Sequence, residues 1–318
     1  MKGDVGLRII APGIFSQLQD PGRYGQSKQG LSQGGVMDER AAGWANLLLK
    51  NSPNNALIEI SFGLAEFEAL TDLQLALTGA QMKALIVDRH LSTNIPQTNN
   101  CSFMLRKGQR LKLGFATSGA RAYLAIKGGF DVPLKFASVS TVKRNFTGGL
   151  DGLGGQLKEG DLLSVFAQDS DVIQRSMSDK FIPDYDQPLT LNVIESYQAD
   201  RFSTAQKAKF YATVFHVSAE NDRMGMRLGG EPLDGPLAGI VSEGIALGSI
   251  QIPPDGLPII LLQDRQTLGG YPKIGCVARC DLSLLAQATV GKSIRFKPGC
   301  LAEEQLRYRR RLLFFNQF

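Results

Sequence analysis

Histidine is nearly missing: the 318 residues contain two, His90 and His216. A tri-histidine zinc site therefore cannot be built from this chain, and catalysis falls to carboxylates, arginines, amides and backbone groups. Cysteine is also sparse. Cys101, Cys276, Cys280 and Cys300 include no C-x-x-C pair and no histidine-completed metal set, which fits free thiols in a reducing compartment better than a disulfide framework. No run of about 18 apolar residues occurs, and the first 13 residues lack the apolar core of a secretory signal. The expectation is a soluble, cytoplasmic chain with no membrane partner. Lys plus Arg number 35 against 30 for Asp plus Glu, a formal charge of +5. Basic residues concentrate only at Arg307, Arg309, Arg310 and Arg311, and no nucleic-acid reader motif is present, so nucleic acid is not an expected partner.

Glycine is abundant: 35 residues in a chain that is 43% hydrophobic and 20% charged, a globular balance. At roughly 150 residues per domain, the length suggests two. Period-two alternation dominates, as in Leu73 to Leu77, Leu111 to Leu113, Ala122 to Ile126, Leu189 to Ile194, Thr213 to Val217, Pro258 to Leu262 and Ser293 to Phe296. Gly108, Gly160 and Gly291 each precede such a run, as a positive-φ turn residue would. Helical spacing is rarer. Met37, Ala41, Trp44 and Leu48 mark one face of a helix over 39–49 with Asp38 as its cap, and a short helix over 282–287 has Asp281 as its cap. The reading is mainly β with few helices, as barrels or sandwiches: an N-terminal half at 1–167, a polar linker at 168–188, a C-terminal half at 189–300 and a basic, apolar tail at 301–318.

Three sets of residues are candidates for chemistry. Gly148 to Gly155 is a glycine-rich loop able to present N–H groups to phosphate, or a plain turn; it fits neither G-x-G-x-x-G nor P-loop spacing, and Gly291-Lys-Ser293 leads into a strand, against a P-loop. Asp20 with Arg23, and Asp222 with Arg223 and Arg227, sit beside glycines in turns. They are either loop-bracing ion pairs or bidentate holders of carboxylate or phosphate. The densest set is Glu243, Gln251, Asp264, Gln266 and Thr267, with Tyr271, around an apolar strand. These are either exposed loop groups or the convergent lining of a polar-ligand site.

Gln19-Asp-Pro-Gly-Arg-Tyr-Gly25, Ser32-Gln-Gly-Gly-Val-Met-Asp38 with Ala45-Asn46, Glu59, Gly119-Ala-Arg-Ala-Tyr-Leu-Ala125 with Gly128-Gly129, Asp222-Arg-Met-Gly-Met-Arg-Leu228, Gly248-Ser-Ile-Gln-Ile-Pro253 and Gln266-Thr-Leu-Gly-Gly-Tyr-Pro272 occur in order along the chain. Together they resemble the biotin-dependent carboxyltransferase-like, or allophanate hydrolase subunit 2 (KipA), family, which includes the C-subunit of bacterial 5-oxoprolinase. The resemblance implies two cyclophilin-like β-barrel domains. It also implies work with an A-subunit and a KipI-like B-subunit, hydrolysing 5-oxo-L-proline to L-glutamate with ATP and Mg2+ at the level of the complex. Alternatives are a biotin-dependent carboxyltransferase of the urea or allophanate type, whose Met-Lys-Met biotin acceptor would lie on a separate carrier, and a non-catalytic KipA-like regulator that binds a KipI-like partner. Under the first reading, Arg23, Arg121, Asp222, Arg223 and Arg227, with Glu243, Gln251, Gln266, Thr267 and Tyr271, are candidates for holding a small-molecule substrate or phosphate. Asp20, Asp38, Glu59 and Asp264 are the candidate catalytic carboxylates, and no metal set is expected. One position departs from the family pattern. Ala137-Ser-Val-Ser-Thr141 carries Val139 where the resemblance implies arginine.

Overall fold

The computed structural model describes residues 3–88, 93–167, 172, 174–235 and 239–316; His90 and linker residues 168–171 and 173 lie outside the described residues. The chain separates into two compact units. The first comprises Met1–Arg23, Gly34–Tyr185 and Phe315–Phe318, and the second Tyr24–Gln33 and Asp186–Phe314.

The first unit contains β1 (Asp4–Pro12), β2 (Phe15–Gln19), α1 (Glu39–Leu48), β3 (Leu57–Ser61), β4 (Ala65–Ala69), β5 (Leu73–Asp88), β6 (Thr93–Gln97), β7 (Cys101–Leu105), β8 (Arg110–Ile126) and β9 (Leu162–Val165). The strands form one antiparallel nine-stranded sheet in the order β2-β3-β8-β4-β1-β9, with β5 joining β8 to β6 and β7. No ladder closes this sheet among the described residues, so this half is curled rather than a complete barrel. The long β5–β8 ladder shifts register between Gly79 and Ala84. At Gly79, φ is +88° and a Cβ would lie 2.4 Å from the Arg121 carbonyl oxygen, so only glycine fits the bend. Bending turns one sheet face inward over Leu18, Ile60, Phe67, Leu77, Leu111 and Leu124, all buried. The α1 face read from Ala41, Trp44 and Leu48 is buried as expected, and Asp38 Oδ1 accepts from the Arg40 and Ala41 amides at 3.0 Å.

The expected linker is not free chain. Ser102 N donates to Arg175 O and Met177 N to Asn100 O, both at 2.8 Å, which continues the edge of β7, and Met177 and Tyr185 are buried. A polar composition concealed an edge pairing carried by backbone groups, which composition does not register.

In the second unit, β10 (Leu189–Glu195), α2 (Thr204–Ala212), β11 (Phe215–Asn221), β12 (Gly225–Gly229), β13 (Glu243–Gly244), β14 (Ser249–Gln251), β15 (Ile259–Leu261), β16 (Leu268–Gly269), β17 (Lys273–Val277), α3 (Leu282–Leu285), β18 (Ser293–Pro298) and α4 (Leu301–Asn316) follow in order. Seven strands close a barrel, β10-β17-β14-β15-β12-β11-β18, sealed by parallel pairing of β18 with β10. The strands β13 and β16 pair only with each other, as a short ladder separate from the barrel. Phe210 of α2 stacks on Phe296 of β18 at 4.5 Å, with Phe215 beside them.

Two expectations change here. Asp281 makes no side-chain cap on α3; its Oδ2 instead accepts from Asn192 N and Nδ2, both at 2.8 Å, and Oδ1 accepts from Arg307. The basic tail is the helix α4. Arg307 binds Asp281, and Arg311 donates to Cys280 O at 2.8 Å and Ser283 Oγ at 3.1 Å, so half of its arginines anchor it.

Candidate functional site

The first unit gathers its candidate residues in two buried sets. In one, Asp20 accepts from four donors: Ser138 Oγ and Ser140 Oγ at 2.6 Å, and the amides of Val139 and Gly22 at 2.8 Å. Arg23 is 2% exposed and donates to the carbonyls of Ser140 and Lys135. Asp20 and Arg23 thus bind the 135–140 loop to the end of β2. Val139 explains itself in this geometry, because its side chain packs into the hydrophobic core while its backbone N–H holds Asp20. The glycine loop serves the same junction. A Cβ on Gly148 would meet Ser140 O at 2.0 Å. The amides of Gly149, Gly152, Leu153, Gly154 and Gly155 all donate within the first unit, which leaves them committed instead of aimed at a phosphate.

The other set centres on Glu59, which is fully buried on β3. Its Oε2 accepts from Met37 N at 2.8 Å and Tyr123 OH at 3.0 Å, and its Oε1 from Gln17 Nε2 at 3.4 Å. Tyr123 OH accepts in turn from Asp38 N at 2.7 Å. Burial, then the charges of Glu59 and Asp38, hold the Tyr123 phenol well above its ordinary range, so it remains a donor. Arg121 is buried on β8 opposite Ser61 and acts on Tyr123 in the opposite sense. Glu59 and Asp38 therefore orient α1 and its entry turn in this conformation.

In the second unit the candidate residues fall into three ion-paired groups. Arg223 and Asp264 form a buried bidentate pair, Nε to Oδ2 at 3.0 Å and Nη2 to Oδ1 at 3.1 Å. Ser32 Oγ bridges the carbonyls of Arg265 and Asp264 at 2.7 and 3.2 Å, tying residues 24–33 to this turn. Asp222 closes its own turn by accepting from Met224 N at 2.7 Å and Gly225 N at 3.0 Å. Arg227 pairs with Asp255 and, at 3.4 Å, with Glu220.

The third set pairs a buried lysine with a partly exposed carboxylate and includes residues that no motif had marked. Lys273 Nζ, Tyr197 OH and Gln198 Nε2 all donate to Glu243 Oε1. Gln198 is oriented for this by its Oε1, which accepts from Lys273 N at 2.8 Å. The Lys273 side chain is 5% exposed and that of Glu243 32%, and Tyr197 is the most exposed of the set, at 75% for the whole residue. Hydrogen bonds from Lys273 and then Tyr197 hold the Glu243 carboxyl below its ordinary value. Gln251 Nε2 donates to Tyr271 O at 3.4 Å on a neighbouring stretch, and Thr267 O accepts from Ile245 N at 3.1 Å beside the β13–β16 ladder. Gln266 is half-buried in the same loop. Lys273, Tyr197 and Gln198 were illegible as isolated residues in a strand and a turn. Deeper in the unit, burial pushes the Cys276 thiol up to about 11 and pulls Arg265 down to about 10, with Arg279 adding to the latter.

Among the described residues no group of three or more His, Cys, Asp or Glu side chains is arranged to hold a metal ion, and no helix is long and apolar enough to cross a membrane.

Residues 29–298 match the family model of the carboxyltransferase domain, subdomain A and B. The chain belongs to this family. Among the relatives of this carboxyltransferase-family chain, the 5-oxoprolinase C-subunit of Escherichia coli is 34% identical over 95% of this chain and 94% of its own length. That of Haemophilus influenzae is 33% identical over 94% and 93%. The crystal structure of the K. lactis urea amidolyase superposes with a TM-score of 0.87 over 99% of this chain and 20% of that one; at 24% identity this likeness shows the fold alone.

Proposed function

We propose that the chain is the C-subunit of an ATP-dependent 5-oxoprolinase, which with an A-subunit and a KipI-like B-subunit hydrolyses 5-oxo-L-proline to L-glutamate in the cytoplasm. The observation that carries this reading is the identity of about a third to two bacterial 5-oxoprolinase C-subunits along nearly the whole of both chains. Opening a five-membered lactam is unfavourable near neutral pH, and ATP would supply the driving force at the level of the complex. No phosphate-handling step is assigned to this chain. Its own contribution is to bind and orient: the substrate carries a carboxylate, and a donor set that neutralises it holds the ring for attack on the amide carbon. Co-purification with the two partner subunits, followed by glutamate release from 5-oxo-L-proline with and without ATP, tests the proposal. An intact complex that releases no glutamate would sink it.

A second reading, a biotin-dependent carboxyltransferase component working on a urea-type amide, draws support from the family description and the fold shared with urea amidolyase. Carboxyl transfer from a carboxylated biotin carrier, assayed on the same preparation, separates the two.

A further inference from the structure

We infer that Lys273, Tyr197 and Gln198 form a receptor for a small-molecule carboxylate, and that Glu243 is its built-in occupant, displaced when the ligand binds. Three observations converge. The donors are a buried ammonium, a phenol and an amide, all aimed at one oxygen, Glu243 Oε1. Gln198 is fixed in its donating orientation by the Lys273 amide, and both Gln198 and Lys273 are buried, so these two donors stay in place while the exposed Tyr197 closes over them. The occupant comes from elsewhere: Glu243 belongs to the β13–β16 ladder, whose pairing is two residues long and separate from the barrel.

A preformed set of charge-assisted donors binds whichever carboxylate reaches it. Glu243 shows the chemistry that the three donors accept, and its side chain is 32% exposed, so on this inference it leaves them by rotating into solvent. An internal occupant competes at millimolar effective concentration, so it weakens an external carboxylate by the factor by which it fills the site. The substrate proposed above is such an anion. The inference rests on that reading only in the choice of 5-oxo-L-proline as one probe.

The test uses the full chain and measures binding, not turnover. For acetate and 5-oxo-L-proline, Glu243→Ala should bind about tenfold or more tightly than wild type by calorimetry. The melting temperature of the variant, lowered by an unpaired Lys273, should be restored saturably by acetate. Uncharged 2-pyrrolidinone, which has the lactam but no carboxylate, should do neither, and Lys273→Met in the Glu243→Ala background should abolish the gain. If Glu243→Ala does not fold, Glu243→Gln keeps the shape without the charge and should still gain about threefold. Equal affinity in wild type and variant, or equal rescue by 2-pyrrolidinone or chloride, would overturn the receptor. The two proposals fail separately. Carboxylate binding by this chain beside a complex that releases no glutamate would remove the oxoprolinase reading and keep the receptor; glutamate release without carboxylate exchange at Glu243 would do the reverse.

Discussion

The two units hold their candidate carboxylates in different ways. In the first, Asp20 is saturated by two hydroxyls and two backbone amides from two segments of chain, so the anion acts as a structural tie. In the second, Asp264 and Glu243 each face a cation, and the two pairs differ in access: Arg223–Asp264 is sealed, whereas Glu243 is open to water. A carboxylate held by fixed backbone donors has nothing to exchange with. One held by a side-chain cation at the surface can give up its place, which makes the second unit the better place to look for ligand chemistry.

The sharpest way to break this contrast is the sealed pair. Arg223→Ala takes the bidentate guanidinium away from buried Asp264 and should destabilise by about 3–5 kcal/mol, whereas Arg223→Met with Asp264→Leu should recover most of that loss. The single tryptophan, Trp44, lies in the first unit, so urea unfolding followed both by its fluorescence and by far-UV circular dichroism separates the units. A loss confined to the circular dichroism transition is expected. An equal shift in both signals would show that the units unfold as one and that the contrast is not thermodynamic.

Next comes the tie itself. Asp20→Asn removes the charge that four donors serve and should lower the Trp44 transition by about 2–3 kcal/mol. Gly148→Ala attacks the same junction from the other side: its φ is +75° and the new Cβ would crowd Ser140 O. A loss of about 2 kcal/mol is expected. Were Gly148→Ala neutral, the glycine loop would be free to move, and its committed amides would become available to a ligand.

These particulars show what could be read from the sequence. Period-two runs became strands, and Gly108, Gly160 and Gly291 do take positive φ, at +84°, +86° and +83°, because alternation and chirality act locally. Helix α1 and its Asp38 cap were legible for the same reason. The tie between Asp20 and Ser138 or Ser140 spans about 120 positions, and nothing in either segment names the other. The departure at Val139 looked like a lost side chain, yet what the loop uses there is a backbone N–H that valine supplies as well as arginine. Lys273, Tyr197 and Gln198 were invisible singly, since their meaning lies in convergence on one oxygen. The α4 helix resembled a tail because its arginines are anchors whose partners lie on other elements.

The smallest expected effect sharpens the contrast most directly, because it isolates the open pair. The Glu243 carboxyl is held below its ordinary value near 4.5, chiefly by Lys273 and then by Tyr197. A carboxyl whose folded-state value is depressed contributes stability that is fully present above its unfolded value and disappears as pH falls through the folded one. Wild type should therefore exceed Glu243→Gln in stability by a constant, modest margin from pH 7 down to about 5. Below 4.5 that margin should shrink towards zero. With Glu243 half-open, about 0.5 M salt should reduce the margin at neutral pH as well, while the sealed Arg223–Asp264 pair should respond much less. Thermal melts of wild type and Glu243→Gln across pH 3 to 7, at low and high salt, measure both dependences. A margin independent of pH would mean that the donors around Glu243 do not favour its ionised form over the neutral one, and the open pair would then have no electrostatic distinction from its surroundings.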